Sequence, residues 1–520
     1  MGTYRLSKYQ KFFSIFSYIF IINIFLLNST IAQTKSVNPN SNDMHRSKII
    51  PVVELKRNKN KAILMVDYLD LSLPDGEEID LLGYHLLAPV NDWFNIGLGS
   101  YAPFLKGEYG GFMAFGAKAH AQRKLGNNIF INAGLDFGGG GGGKSVSHSV
   151  ILSGTGGYLK SYVGFGYQFE KYSAGINISH LKFKNSIINN TAFNLFVQRP
   201  FTYTTSNYSK SGSYYPTSKT QGSKYGEVIG LRLEQISQIN PTGSYKGNIN
   251  IADLQISKFL TKEAYLYYAL GVGYSGMPTY NQVLGGFGYR YPLFSNLNLY
   301  GQIGIGSGGY APSRFDTGSG MLIYPKLSIE YKLNNKFGLA MSGGYLYAPD
   351  GTSRNNTASI GLNYHTKLSN IRPKNNFEKF RGYHFNFTHE TSLDLRHNNT
   401  RLNNLNVCSI QLDQDINDNF YIPLRAAISY ESYRGYPGYG EISAGIGWHS
   451  KYVKDNHFQF FNEIQTGANV EGKIVKVSTG LNYGMSENIA LRAMFGLTIG
   501  ENGFNAKNIG LGVTHRFSLP

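Results

Sequence analysis

The chain has 520 residues, among them 62 glycines, 39 tyrosines and 33 phenylalanines, and only 16% of its residues are charged. Average usage would give roughly 36 glycines and about a quarter charged residues, so a disordered charged tail, a collagen and a coiled coil are excluded and the composition reads as all-β. The single cysteine, Cys408, excludes an intramolecular disulfide and any cysteine-based zinc or iron–sulfur site, while a formal charge of +17 suits a surface facing acidic lipid or polysaccharide, although nucleic acid would also accept it.

Residues 1–32 have the form of a secretory signal peptide. Arg5, Lys8 and Lys11 make a basic start, residues 12–27 an apolar run, and Thr30-Ile31-Ala32 offers small residues before a cut at Gln33. The run is shorter than the ~20 residues a spanning helix needs, and no cysteine follows it for lipid attachment. Cleavage takes three cations from the +17 and leaves +14. Residues 33–59 read as a polar segment, and no later stretch is long and apolar enough for a transmembrane helix.

Strands begin after that. Over 128–137, Ile129, Ile131, Ala133, Leu135 and Phe137 alternate with Phe130, Asn132, Gly134 and Asp136. Over 158–169, Leu159, Val163, Phe165, Tyr167 and Phe169 alternate with Lys160, Tyr162, Gly164, Gly166 and Gln168. Period-two runs of ten to twelve residues match the length of a tilted membrane strand, apolar side out and polar side in.

The pattern recurs. Gly111-Phe112, a strand and the turn at 125–128 are echoed by Gly286-Phe287, a strand and the turn at 294–298, and each leads to a glycine run, 138–143 and 304–309, that we read as a loop. Lys160, Gly164 and Tyr167 correspond without a gap to Lys476, Gly480 and Tyr483. Three blocks of eight strands emerge, at 60–203, 225–366 and 380–520, joined by linkers at 204–224 and 367–379 that are rich in Ser, Lys, Pro and Asn. In the first block the connections at Asn91-Asp92, Gly126-Asn127 and Glu170-Lys171 are short and the others longer, which is the asymmetry of periplasmic turns and extracellular loops. Long linkers favour three up-and-down antiparallel barrels in tandem; one 24-stranded barrel is the alternative.

With its signal segment, Gly- and aromatic-rich strands, loop asymmetry and a terminal strand at 508–517 ending on Phe517, the chain resembles Gram-negative outer-membrane β-barrel proteins, each block being similar in size to the small eight-stranded type. The resemblance implies residence in the outer membrane among lipid and lipopolysaccharide, and recognition of the terminal strand by the assembly machinery. The sequence departs from the usual terminal aromatic, since Ser518-Leu519-Pro520 follows Phe517.

Few motifs point to chemistry. Gly138 to Gly143 with Lys144-Ser145 matches the phosphate-loop pattern, but Val146-Ser147-His148-Ser149-Val150 alternates where a helix should open, so no nucleotide is expected. Ser179-His180 and His389-Glu390 lack the order and the recurrence of a hydrolase site and read as rim histidines; Cys408 reads as a lipid-facing or packed thiol. No enzyme, cofactor, metal or nucleic-acid site is expected. By alternation Asp136, Lys160, Lys326, Glu330, Glu463 and Lys476 face the lumen, as a salt-bridged plug or as the lining of an anion path, and Lys476 is expected to pair with Glu463 on the neighbouring strand. The two functional readings are a structural or surface-interaction barrel presenting Gly-, Ser- and Tyr-rich loops, and a porin-like channel; a lipid-modifying hydrolase is a distant third.

Overall fold

The computed structural model describes residues 58–520 except 75, 142–153, 217–225, 279, 312, 366–376, 436–437, 452–456 and 520. The expected signal peptide lies outside the described residues.

Eight strands close the first barrel: β1 (Asn58–Ser72), β2 (Glu78–Pro89), β3 (Phe94–Ala102), β4 (Met113–Lys124), β5 (Ile129–Gly141), β6 (Gly157–Gln168), β7 (Ser173–Phe183) and β8 (Asn189–Thr205). A short strand, β9 (Tyr214–Pro216), lies in the linker that follows. The second barrel is β10 (Glu227–Gln238), β11 (Ile249–Phe259), β12 (Ala264–Ser275), β13 (Asn281–Phe294), β14 (Leu297–Gly309), β15 (Met321–Lys332), β16 (Phe337–Tyr347) and β17 (Arg354–His365). In the next linker β18 (Phe377–Lys379) pairs with β9, so the segments entering and leaving barrel two are clasped together. Barrel three starts with β19 (Arg381–His397), whose end carries the two-residue β20 (Thr400–Arg401). It continues through β21 (Leu405–Asp415), β22 (Phe420–Ser429), β23 (Gly440–His449), β24 (Phe458–Asn469), β25 (Gly472–Gly484), β26 (Ile489–Gly500) and β27 (Asn505–Leu519), which returns to β19.

The closures decide between the two architectures. β8 pairs with β1, with Met65 opposite Gln198, and β17 pairs with β10, with Leu231 opposite Leu362. A single large sheet would pair β8 with β10, so the fold is three tandem eight-stranded antiparallel barrels.

Alternation survives in the side-chain environment. Phe165 is 62% exposed on the outside while Phe130 and Lys160 are buried within. The outer faces of barrels two and three carry exposed Leu231, Leu327 and Met341, then Ile464, Val477 and Leu511. Such a belt belongs in hydrocarbon, with the backbone satisfied by closed ladders. Exposed Trp93, Tyr172, Tyr291, Phe294, Phe420 and Trp448 ring the short-turn end as an aromatic girdle. Several short turns use one device: Asn91 Oδ1 accepts the N–H groups of Trp93 and Phe94, and Asn334 and Asn417 do the same for Phe337 and Phe420. No helix among the described residues is long and apolar enough to cross a membrane.

One expectation fails: the glycine runs are largely strand. Residues 138–141 belong to β5 and 304–309 to β14. The reason for the first run is contact, since a Cβ on Gly139 would lie 2.5 Å from the Ser429 carbonyl oxygen of barrel three. Bare backbone there lets two barrels touch. Barrels one and two meet through Gly110 N–H to Gly318 O (2.8 Å) and Ser307 Oγ to Pro103 O (2.8 Å). Barrels one and three meet again through the reciprocal Ser206–Ser518 backbone pair (2.9 Å each way). Met113 and Phe115, Leu270 and Val272, and Ala468 join all three in one apolar cluster.

Candidate functional site: the charged lumens

All six charged candidates are buried inside their barrels. In barrel one, Lys160 Nζ donates to Asp67 Oδ2 (2.6 Å) and to the Tyr101 hydroxyl (3.0 Å). Asp136 accepts from Lys118 Nζ (3.0 Å) and from Tyr101, and His85 Nε2 lies 2.9 Å from Asp67. In barrel two, Lys326 Nζ reaches Glu234 (3.4 Å), and Glu330 accepts from Asn298 (2.9 Å), Tyr300 (2.7 Å) and Asn363 (2.8 Å), with His365 Nε2 at 2.8 Å. In barrel three, Lys476 Nζ donates to Glu390 Oε2 (2.7 Å) and Arg425 Nη2 donates to Glu390 Oε1 (2.7 Å). Glu463 accepts from Arg492 (2.6 Å), Tyr421 (2.7 Å) and Gln411 (2.8 Å).

The expected Lys476–Glu463 pair is therefore wrong, although both side chains point inward. The β24–β25 register sets Glu463 opposite Ser478 and Lys476 opposite Gln465. Lys476 instead crosses the lumen to strand one. The same connection recurs in every barrel: a lysine of strand six meets an acid of strand one, as Lys160–Asp67, Lys326–Glu234 and Lys476–Glu390. Of the acid partners only Glu390 was named from sequence, beside His389 in a motif read as a rim histidine, though alternation with buried Met65 and Leu69 would have turned Asp67 inward.

Layers of apolar residues adjoin these networks. Leu73, Tyr109 and Phe112 close over the long-loop end of barrel one, Tyr280, Tyr310 and Phe315 over that of barrel two, and Tyr433, Val470 and Phe504 over that of barrel three. An eight-stranded interior is just wide enough to be filled by side chains.

Among the described residues, neither histidine motif is assembled. Residues 142–153, which include Lys144 and Ser145, lie outside the described residues. His180 is exposed and paired with Thr191 (2.9 Å), while Ser179 is buried on the opposite face. His389 faces outward to the Tyr430 hydroxyl (2.7 Å), whereas its neighbour Glu390 is the buried acid of barrel three. Cys408 is half-buried.

At the short-turn end of barrel three, His384, Asp415 and His449 come together with ligand atoms within 4.8 Å of one another, a set that residue types at such sequence distances did not suggest. The linker reaches into it: Tyr208 donates to Asp415 (2.8 Å), and burial, followed by that carboxylate, pushes the Tyr208 hydroxyl well above the usual tyrosine range. The Tyr208–Asp415 bond thereby ties the linker to this rim of barrel three.

No family model and no curated protein matches the chain. Among solved structures, a de novo designed transmembrane β-barrel aligns at 13% identity over 27% of this chain and 95% of its own, with a TM-score of 0.19. OccAB3 of Acinetobacter baumannii aligns at 12% identity over 89% of this chain and 99% of its own (TM-score 0.18). The ferripyoverdine receptor of the outer membrane of Pseudomonas aeruginosa aligns at 9% identity over 88% of this chain and 72% of its own (TM-score 0.29).

Proposed function

We propose that the chain is an integral outer-membrane protein with a structural or surface-interaction role. Its three barrels are rigid supports for the loops at the long-loop end, its outer faces contact outer-membrane lipid and lipopolysaccharide, and β27 is the strand through which assembly machinery takes it up. It carries out no catalysis and uses no cofactor. What supports this reading is one observation: each lumen is filled by a buried, hydrogen-bonded ion network, and a charge so placed must be paired where it lies rather than left to pass solute. Single-channel recording on the purified full chain in planar bilayers tests it. The expected outcome is no stepwise conductance. Regular anion-selective steps would favour the porin-like channel.

A further inference from the structure

Barrels one and three touch at Gly139 and Gly157, against Ser429 and Tyr430, but part company beside that contact. A cavity of about 790 Å³ opens toward the long-loop end and one of about 630 Å³ toward the short-turn end. Leu98, Ala117, Phe137 and Phe387 line both, so the two are one crevice running down the seam. Its lower end is walled by Leu412, Phe517 and Leu519, and its middle by Ile410 and Ala426. These walls are outer faces of membrane strands, where the surrounding medium is hydrocarbon. The apolar lining and the size of the slot fit a slender hydrocarbon chain, which makes dispersion contacts along it.

The mouth is not apolar. On β7 the outward face changes from Ile176 and Ile178 to His180 and Lys182, and Lys184 follows just past the strand. Lys182 and Lys184 are exposed at the rim of the crevice, and neither has an acidic partner among the described residues. The only carboxylate on that rim among the described residues, Glu431, is occupied by the backbone N–H and side-chain amide of Asn406. Two uncommitted ammonium groups above an apolar slot fit a lipid whose head carries phosphate.

We propose that this seam is a binding site for one molecule of the lipid A class, with acyl chains in the crevice and a phosphate on Lys182 and Lys184. The choice among anionic lipids follows from the mouth lying on the long-loop side, the outer leaflet, and so rests on the outer-membrane reading above. Both exposed lysines contribute to holding an anionic head at a lipid surface, so reversing both charges lowers retention roughly tenfold or more.

The test uses native mass spectrometry of the full chain extracted in mild detergent, with heat-modifiable migration and membrane fractionation run alongside. Wild type should carry one lipid A mass. A chain with Lys182→Glu and Lys184→Glu should lose it, Ala117→Phe should displace it by filling the crevice, and Lys246→Glu, on a loop of barrel two, should leave it unchanged. Delipidated protein should recover the mass from phosphatidylcholine vesicles containing lipid A and not from those containing phosphatidylglycerol. Folded chain in the outer membrane without bound lipid, equal retention by the doubly reversed variant, or preference for phosphatidylglycerol overturns this site alone; chain absent from the outer membrane overturns the reading beneath it.

Discussion

Lys476 Nζ sits 2.7 Å from Glu390 across the lumen of barrel three, as Lys160 Nζ sits 2.6 Å from Asp67 in barrel one. Strand six and strand one are thus tied in the same way in barrels whose sequences have otherwise diverged, and Lys326–Glu234 completes the series at 3.4 Å. The backup differs between them. Glu390 keeps Arg425 at 2.7 Å if its lysine is lost, whereas among the described residues Lys326 is the one cation within ion-pair distance of Glu234.

Lys326→Met should therefore destabilise barrel two by about 3–5 kcal/mol, the cost of stranding a buried charge. Lys476→Met should cost barrel three about 1.5–3 kcal/mol, the loss of one charged hydrogen bond. Pulse proteolysis across a urea series, reading each barrel by its own fragments, checks the order; equal losses would show that the backup cation is irrelevant. Adding Glu234→Leu to Lys326→Met should recover much of the loss, because an apolar pair removes the stranded charge.

Phe165, 62% exposed on β6, faces the membrane, and Gln168 at the end of that strand is only partly covered. Phe165→Arg should cost about 2–4 kcal/mol of membrane stability and impair assembly, with Gln168→Arg nearly silent because it lies near the interface. Heat-modifiable migration of the two variants measures this directly, and indistinguishable behaviour would contradict the membrane face assigned to β6.

Barrel three closes on itself through β19 and β27, so residues 380–520 should fold alone in detergent with strand-like circular dichroism. In the full chain the linker adds Tyr208–Asp415 (2.8 Å) and Asn207–Glu487 (3.1 Å). Tyr208→Phe should lower the stability of barrel three in the full chain by about 1.5–3 kcal/mol, toward that of the isolated 380–520 fragment, which lacks the linker. A fragment that never folds would argue that the barrels depend on one another for closure.

Gly139→Val should separate barrels rather than unfold them, because the new Cβ meets the Ser429 oxygen at 2.5 Å and Ile428 Cδ1 at 3.2 Å, both on the neighbouring barrel. Spin labels on the short turns at Asn127 and Asp418 should report a longer or broader distance, with circular dichroism unchanged. An unaltered distance would mean that the two barrels are not held by this contact.

What the sequence alone determined is what a local rule can carry. Alternation with period two fixed which side chains of β5 and β6 face lipid and which face the lumen, and put Lys160, Lys326 and Lys476 inside, because a strand's faces are set by its own backbone. Loop lengths and polar linkers pointed to three barrels. Tertiary structure decided the partners. Lys476 sits on the inner face whatever the register, but whether it meets Glu463 or Glu390 depends on strand closure and stagger, which bring strand one opposite strand six. The same holds for Gly139, whose meaning lies in a barrel that begins some 240 residues later, and for His384, Asp415 and His449, which separate strands of one barrel bring to a common rim. Distances between side chains on non-adjacent strands are properties of the closed sheet, and no periodicity within one strand encodes them.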